Sequence, residues 1–164
     1  MKLLSEASEY GLRAVIWMAQ CRAEPQKVKD IAREIRAAPG YLVKVLQELT
    51  RAGVLSARRG SQGGFTLESD PSLLTVLDVI NAIDPFERIR SCPLMLEGHS
   101  VTLCPVHRSI DDAMQQIEDS FRQLTIADVV QHATASRTQC RRLSPHLWQE
   151  SMVTLPEAAA DHSP

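Results

Sequence analysis

The amino-acid sequence predicts a mainly α-helical fold with one small two-stranded sheet, and three observations carry that expectation. Two short apolar repeats of helical period flank a tight turn between residues 28 and 53, a hairpin with a basic tip follows at 54–67, and one heptad-spaced run begins at Pro105. In that order they specify a winged helix-turn-helix domain followed by a long dimerisation helix, with the hairpin as the wing. The chain divides accordingly into the winged domain (1–83), a Cys/His loop (84–104), a dimerisation helix with a short cap helix (105–134) and a disordered tail (135–164).

The first helix starts after Ser5, a side chain suited to an N-cap, and runs to about Cys21. It is apolar on more than one side (Tyr10, Ala14, Met18 and also Leu12, Ile16), which predicts burial on a wide face. Pro25 and its polar neighbours make the break. Val28, Ile31, Ala32 and Ile35 then fall on one face of a short helix, and Leu42, Val45, Leu46 and Leu49 repeat the pattern after a break at Ala37, Ala38, Pro39 and Gly40. Pro39 suits the first turn of the second helix and Gly53 its stop. Two strands, Val54–Arg58 and Gly64–Leu67, enclose the flexible tip Arg59-Gly60-Ser61-Gln62-Gly63.

Downstream, Thr75 and Asp78 have capping-box spacing for a helix through Ile83. Residues 84–103 contain Pro85, Pro93 and Gly98 and read as a loop. In the long helix, Ile110, Met114, Ile117, Phe121 and Leu124 alternate steps of four and three, the seam of a self-pairing helix. A last short helix spans Ile126–Gln131, and the Ser/Pro/Ala/Arg-rich remainder reads as disordered.

The net charge of −2 conceals two halves: residues 1–67 hold eleven Lys and Arg against six Asp and Glu, and the remainder seven against fourteen. A basic module joined to an acidic one points to a polyanion, here double-stranded DNA, and Arg58 and Arg59 stand at the wing tip where they reach a phosphate or a minor groove. Tyr41 and Lys44 begin the second helix of the pair; with Arg58, Arg59 and Gly60 they are the candidate DNA-binding residues. Nothing resembles a nucleophile motif or a phosphate-cradling glycine loop, so the chain is read as no enzyme. No apolar run reaches membrane-spanning length and the N-terminus lacks a secretory pattern, so the expected location is cytoplasmic.

In that setting the four cysteines are thiols or ligands rather than disulfides. Cys92-Pro93 and Cys104-Pro105-Val106-His107 bracket a loop that also holds His99. Thiolate with imidazole suits zinc or an iron–sulfur cluster; two buried thiols without metal are the plainer alternative. Cys21 reads as core and Cys140 as an exposed thiol.

These residues resemble the Rrf-two family of bacterial regulators, the IscR/NsrR-like group. The resemblance runs through Ser8-Glu9-Tyr10-Gly11-Leu12-Arg13, Val28 with Asp30-Ile31-Ala32, Tyr41-Leu42, Leu49 to Val54, Arg59-Gly60 and Gly63-Gly64-Phe65. It continues through Cys92-Pro93, Cys104 to His107 and Leu124-Thr125-Ile126-Ala127-Asp128-Val129, and covers about residues 1–131. The resemblance implies a dimeric repressor whose long helices cross and which binds an imperfect palindromic promoter site. It also implies sensing of redox state, iron or nitric oxide through an iron–sulfur cluster, with three cysteines and a fourth group as ligands. Cys92 and Cys104 match the outer cysteines, Gly98 and His99 stand where the middle one is missing, and His107 matches a histidine ligand. Glu9 lies where some members supply a carboxylate from the partner subunit. A [2Fe–2S] cluster on Cys92, Cys104, His107 and either His99 or Glu9 is the expected cofactor; zinc or no metal is the alternative. The competing functions are a cluster-free regulator of the same family, a small Cys/His metalloprotein, and a winged helix used for protein contact alone.

Overall fold

A computed structural model describes residues 3–21, 25–60, 63–91 and 103–135. Its elements run α1 (Glu6–Gln20), α2 (Val28–Ile35), α3 (Pro39–Arg51), β1 (Leu55–Arg58), β2 (Gly64–Leu67), α4 (Val76–Asn81), α5 (Pro105–Gln123) and α6 (Ile126–Ala135). The expected mainly helical fold with a two-stranded antiparallel wing and a long helix downstream is the one observed.

Local chemistry accounts for the helix ends. The Ser5 side chain accepts from the Ser8 N–H, and Glu6 and Glu9 sit in the first turn, where the helix dipole favours acids. α2 ends at Arg36, held in the left-handed region at φ 54°, with its N–H on the Ala32 carbonyl. The turn between α2 and α3 is therefore Arg36 to Ala38, and Pro39 and Gly40, expected in the break, are the first two residues of α3. Proline fits there because its fixed φ is helical and the missing N–H would have had no partner. At the other end Gly53 takes φ +77°, its N–H reaches Thr50 and the Val54 N–H reaches Leu49. That double bond closes the helix and turns the chain into β1.

β1 and β2 pair in register from Leu55↔Leu67 to Arg58↔Gly64. A third rung, absent from the sequence reading, comes from Gln26, whose N–H and carbonyl both bond Phe65 at 2.8 Å. The root of the wing is thus sewn to the link between α1 and α2.

Thr75 and Asp78 form the expected capping box, but α4 stops at Asn81 rather than Ile83. Asp84 precedes Pro85, and a residue before proline disfavours the helical region. An equivalent exchange joins Thr125 and Asp128 at the start of α6. The two starts are themselves paired: the Val76 N–H donates to the Leu124 carbonyl at 2.9 Å and the Ile126 N–H to the Leu74 carbonyl at 2.8 Å.

α6 runs to Ala135, past the expected end at Gln131, and packs on α1, with Ile126 wholly buried. The core gathers Val15 of α1, Ile31 of α2, Leu42, Leu46 and Leu49 of α3, Leu55 of β1 and Ile80 of α4 around it. α5 contributes no buried residue. Among the described residues no helix is long and apolar enough to cross a membrane. The tail expected from 135 onward lies beyond the described residues after Ala135, as do Cys92, Gly98, His99 and Cys140.

Candidate nucleic-acid interface and Cys/His site

With Leu42, Val45, Leu46 and Leu49 turned into the core, the opposite face of α3 is dictated by helical spacing. Tyr41, Lys44 and Gln47 form an exposed stripe there, Tyr41 being 42% exposed. Tyr41 is steadied from α1: the Tyr10 ring meets its edge at a centroid distance of 5.9 Å and 72° between planes. Tyr10 in turn donates its hydroxyl to Glu6 at 2.9 Å, a bond to an acid that raises the phenol's pKa. The stripe is therefore carried on a buried, mutually braced helix pair. Gln47 was missed by the sequence reading, although its position three residues after Lys44, between the apolar Leu46 and Leu49, is the signal that marks it.

The wing presents Arg58, Arg59 and Gly60, all exposed. Gly60 turns the tip at φ +108°, and the Gly63 N–H closes it on the Gly60 carbonyl. A Cβ at Gly63 would lie 2.3 Å from the Arg58 carbonyl oxygen, so the return strand passes too close to the outgoing one for any side chain. The two arginines thus stand where the outgoing and returning chains are closely opposed. Arg33, by contrast, is engaged by Asp30 and Glu34, and Arg51 by Glu48.

At the start of α5, Cys104 is the N-cap residue and His107 lies one turn on, which brings Cys104 Sγ within 3.3 Å of His107 Nδ1. The contact is a hydrogen bond between thiol and imidazole; the usual metal–sulfur and metal–nitrogen lengths at a tetrahedral angle put such donors about 3.5 Å apart, so the spacing is also compatible with one shared metal ion. Among the described residues no three Cys, His, Asp or Glu side chains converge. Glu9 stays on α1, 3.8 Å from Arg13, and is not brought to the pair within the chain. Cys92 and His99 lie outside the described residues.

Comparison with known proteins gives one family. A family model described as Rrf2, iron-dependent transcriptional regulator, matches residues 4–132. A protein of Aquifex aeolicus assigned as an HTH-type transcriptional regulator is 30% identical over 131 residues, 78% of this chain and 91% of that one. Among solved structures, CymR of B. subtilis, described as the global cysteine regulator, is 28% identical, with 80% and 98% of the two chains covered and a TM-score of 0.60. IscR of T. potens is 25% identical, with 90% and 96% covered and a TM-score of 0.67.

Proposed function

The chain belongs to the Rrf2 family of transcriptional regulators, and on that premise we propose that it acts as a homodimeric repressor reading an imperfect palindrome. α3 enters the major groove, where Tyr41 and Lys44 meet base edges and phosphates, while Arg58, Arg59 and Gly60 follow into the adjacent minor groove. The observation that carries this reading is the exposed α3 stripe followed directly by exposed Arg58 and Arg59 on the wing. Binding of the purified protein to its own promoter, titrated with salt, tests it. Each neutralised phosphate adds about −0.9 to the log–log slope, so affinity falls steeply with salt. Salt-independent or absent binding overturns the proposal and leaves a protein-contact module.

The same reading extends to the start of α5. Cys104 and His107, with Cys92 and a carboxylate from Glu9 of the partner subunit, are the residues proposed to hold a [2Fe–2S] cluster. Such a cluster supplies a centre sensitive to redox state, iron supply and nitric oxide. The residues' own part is to offer soft and borderline donors at the head of the dimer helix, so that loading is felt by the element joining the two subunits. Support comes from the 3.3 Å Cys104–His107 pair. That pair suits Zn²⁺ equally well in spacing. Iron, sulfide and zinc content of anaerobically purified protein separates the cases: one iron–sulfur centre per site supports the cluster, stoichiometric zinc replaces it. Metal-free protein that represses normally leaves a cluster-free regulator.

A further inference from the structure

α5 is fastened to the rest of the subunit at two places far apart along its length. At its C-terminal end, Leu124 and Ile126 are paired with Val76 and Leu74 through the two backbone bonds described above. Near its middle, the segment following α4 grips it through Arg88. The guanidinium makes a two-pronged bond to Asp111, Nε to Oδ1 at 2.7 Å and Nη2 to Oδ2 at 2.6 Å, and Nη1 donates to the Gln115 side-chain carbonyl. Glu118 stands 4.0 Å from Nη1, and the Ile89 N–H adds a 2.9 Å bond to Asp111 Oδ1. Phe86 stacks on Phe121 between the two anchor points, with centroids 6.3 Å apart.

Asp111, Gln115 and Glu118 lie at i, i+4 and i+7, one polar stripe of the helix. It runs beside Ile110, Met114 and Ile117 of the expected seam and does not overlap them, so the Arg88 grip leaves those three free of it, whereas Phe121 is taken up by Phe86 of its own subunit. A rod held only at one end pivots; held at two it has one direction. α5 is about 28 Å long, and Asp111 lies about 20 Å from the pivot at residue 124. A rotation of about 10° there would carry the far end of the helix through about 5 Å, more than one base-pair step along B-DNA.

We infer that Arg88 is a positioning residue for operator recognition: by fixing the direction of α5 against the winged domain, it sets the separation of the two recognition helices and so the half-site spacing the dimer accepts. The inference rests on the reading of the protein as a dimer bound to a palindrome. Arg88 touches neither the proposed DNA-contacting residues nor the seam, so its loss leaves half-site contacts and dimerisation in place.

The test uses the full chain and duplexes of its own promoter palindrome, with the centre lengthened or shortened by one or two base pairs, beside a single half-site duplex. Arg88→Ala is expected to lower the preference for the native spacing at least about fivefold, the lower end of the usual range for coupling between sites. Half-site affinity and the sedimentation of the dimer stay at wild-type values, and the reciprocal pair Arg88→Asp with Asp111→Arg restores the preference. A wild-type spacing preference in Arg88→Ala overturns the inference. If the alanine chain fails to fold, Arg88→Lys decides: it keeps the charge and loses the two-pronged bond, so a flattened preference supports the inference and an unchanged one overturns it. Wild-type protein that binds no duplex, or binds all spacings alike as a dimer, removes the underlying reading of palindrome recognition instead.

Discussion

The winged domain and α5 are both written in apolar residues at helical spacing, yet only one of them closes a core. In the winged domain Val15, Ile31, Leu46 and Ile80, and Ile126 of α6 packed on it, are each at most 1% exposed. In α5 nothing is buried, and Val106 and Ile110 remain 64% and 46% exposed. The same sequence signal therefore has two meanings, decided by whether the chain supplies the facing surface. α5 turns its polar stripe and Phe121 to its own subunit, through Arg88 and Phe86, and leaves Ile110 exposed and Met114 and Ile117 half-buried. A continuous apolar stripe on a rigid helix is an interface in waiting, and it underlies the proposal that a second copy covers it.

Five substitutions, and an acid titration of a sixth, probe that contrast. Leu46→Ala, in the closed core, is expected to cost about 2–5 kcal/mol of unfolding free energy. Chemical denaturation should give that loss at any protein concentration, and a concentration-dependent loss would mean that the winged domain is not self-sufficient. Ile117→Glu makes the reverse case. A carboxylate facing its own symmetry mate costs about 3 kcal/mol, or roughly a hundredfold in dimer dissociation, with little effect on the winged domain itself. Sedimentation should then show monomer at micromolar concentration; an intact dimer would mean that the seam packs within its own subunit.

Arg59→Ala should lose about 1–3 kcal/mol of promoter affinity at fixed salt while leaving stability untouched. Equal affinity in a binding titration would remove the wing from the interface. Thr75→Ala and Thr125→Ala each delete a helix cap and should cost about 1 kcal/mol in calorimetry. Because the two caps share one pair of backbone bonds, the double variant is expected to lose less than the two separate losses combined.

The smallest effect is acid sensitivity. The Thr125 hydroxyl and N–H hold the Asp128 carboxyl below its ordinary value of 3.8, and the Arg88 guanidinium does the same for Asp111. A lowered carboxyl pKa contributes stability that is present above the ordinary value and fades as pH falls through the lowered one. Their contributions should therefore stay flat from neutrality down to the ordinary carboxylate range and decline only below it. Asp128→Asn should shallow the acid limb of the stability curve in the winged domain, and an unchanged limb would show that the cap carries no such linkage.

Much of this architecture was legible because it is local. The periodicity of α1, α2 and α3, the proline opening α3 and the glycine closing it each need fewer than twenty neighbouring residues to be read, whereas of the five residues expected in the α5 seam Leu124 ends the helix in extended backbone and Phe121 turns to Phe86. What was not legible is what the chain brings together from afar. Arg88 is an ordinary loop arginine until Asp111, twenty-three residues on, is laid beside it. Gln26 gives no hint of a strand until Phe65 arrives, and nothing about Ile126 says that it will cross back to the core of α1. The turn at Arg36 was displaced because left-handed backbone at a residue with a side chain carries no local signature. At the Cys/His site the sequence reading and the structure meet only in Cys104 and His107.

The paired starts of α4 and α6 bear on how the protein is made. Leu74-Thr75-Val76 and Leu124-Thr125-Ile126 satisfy each other's backbone across fifty residues of chain, and Ile126 fills the centre of the domain beside α1. A nascent chain that has emerged only through α4 already holds the proposed DNA-facing surface, but with an open seat where Ile126 belongs and the Leu74 carbonyl and Val76 N–H without their partners. The domain that reads DNA is thus finished last, by residues beyond the dimer helix. If α5 joins two subunits as proposed, the packing of the winged domain is completed only after that element has been translated.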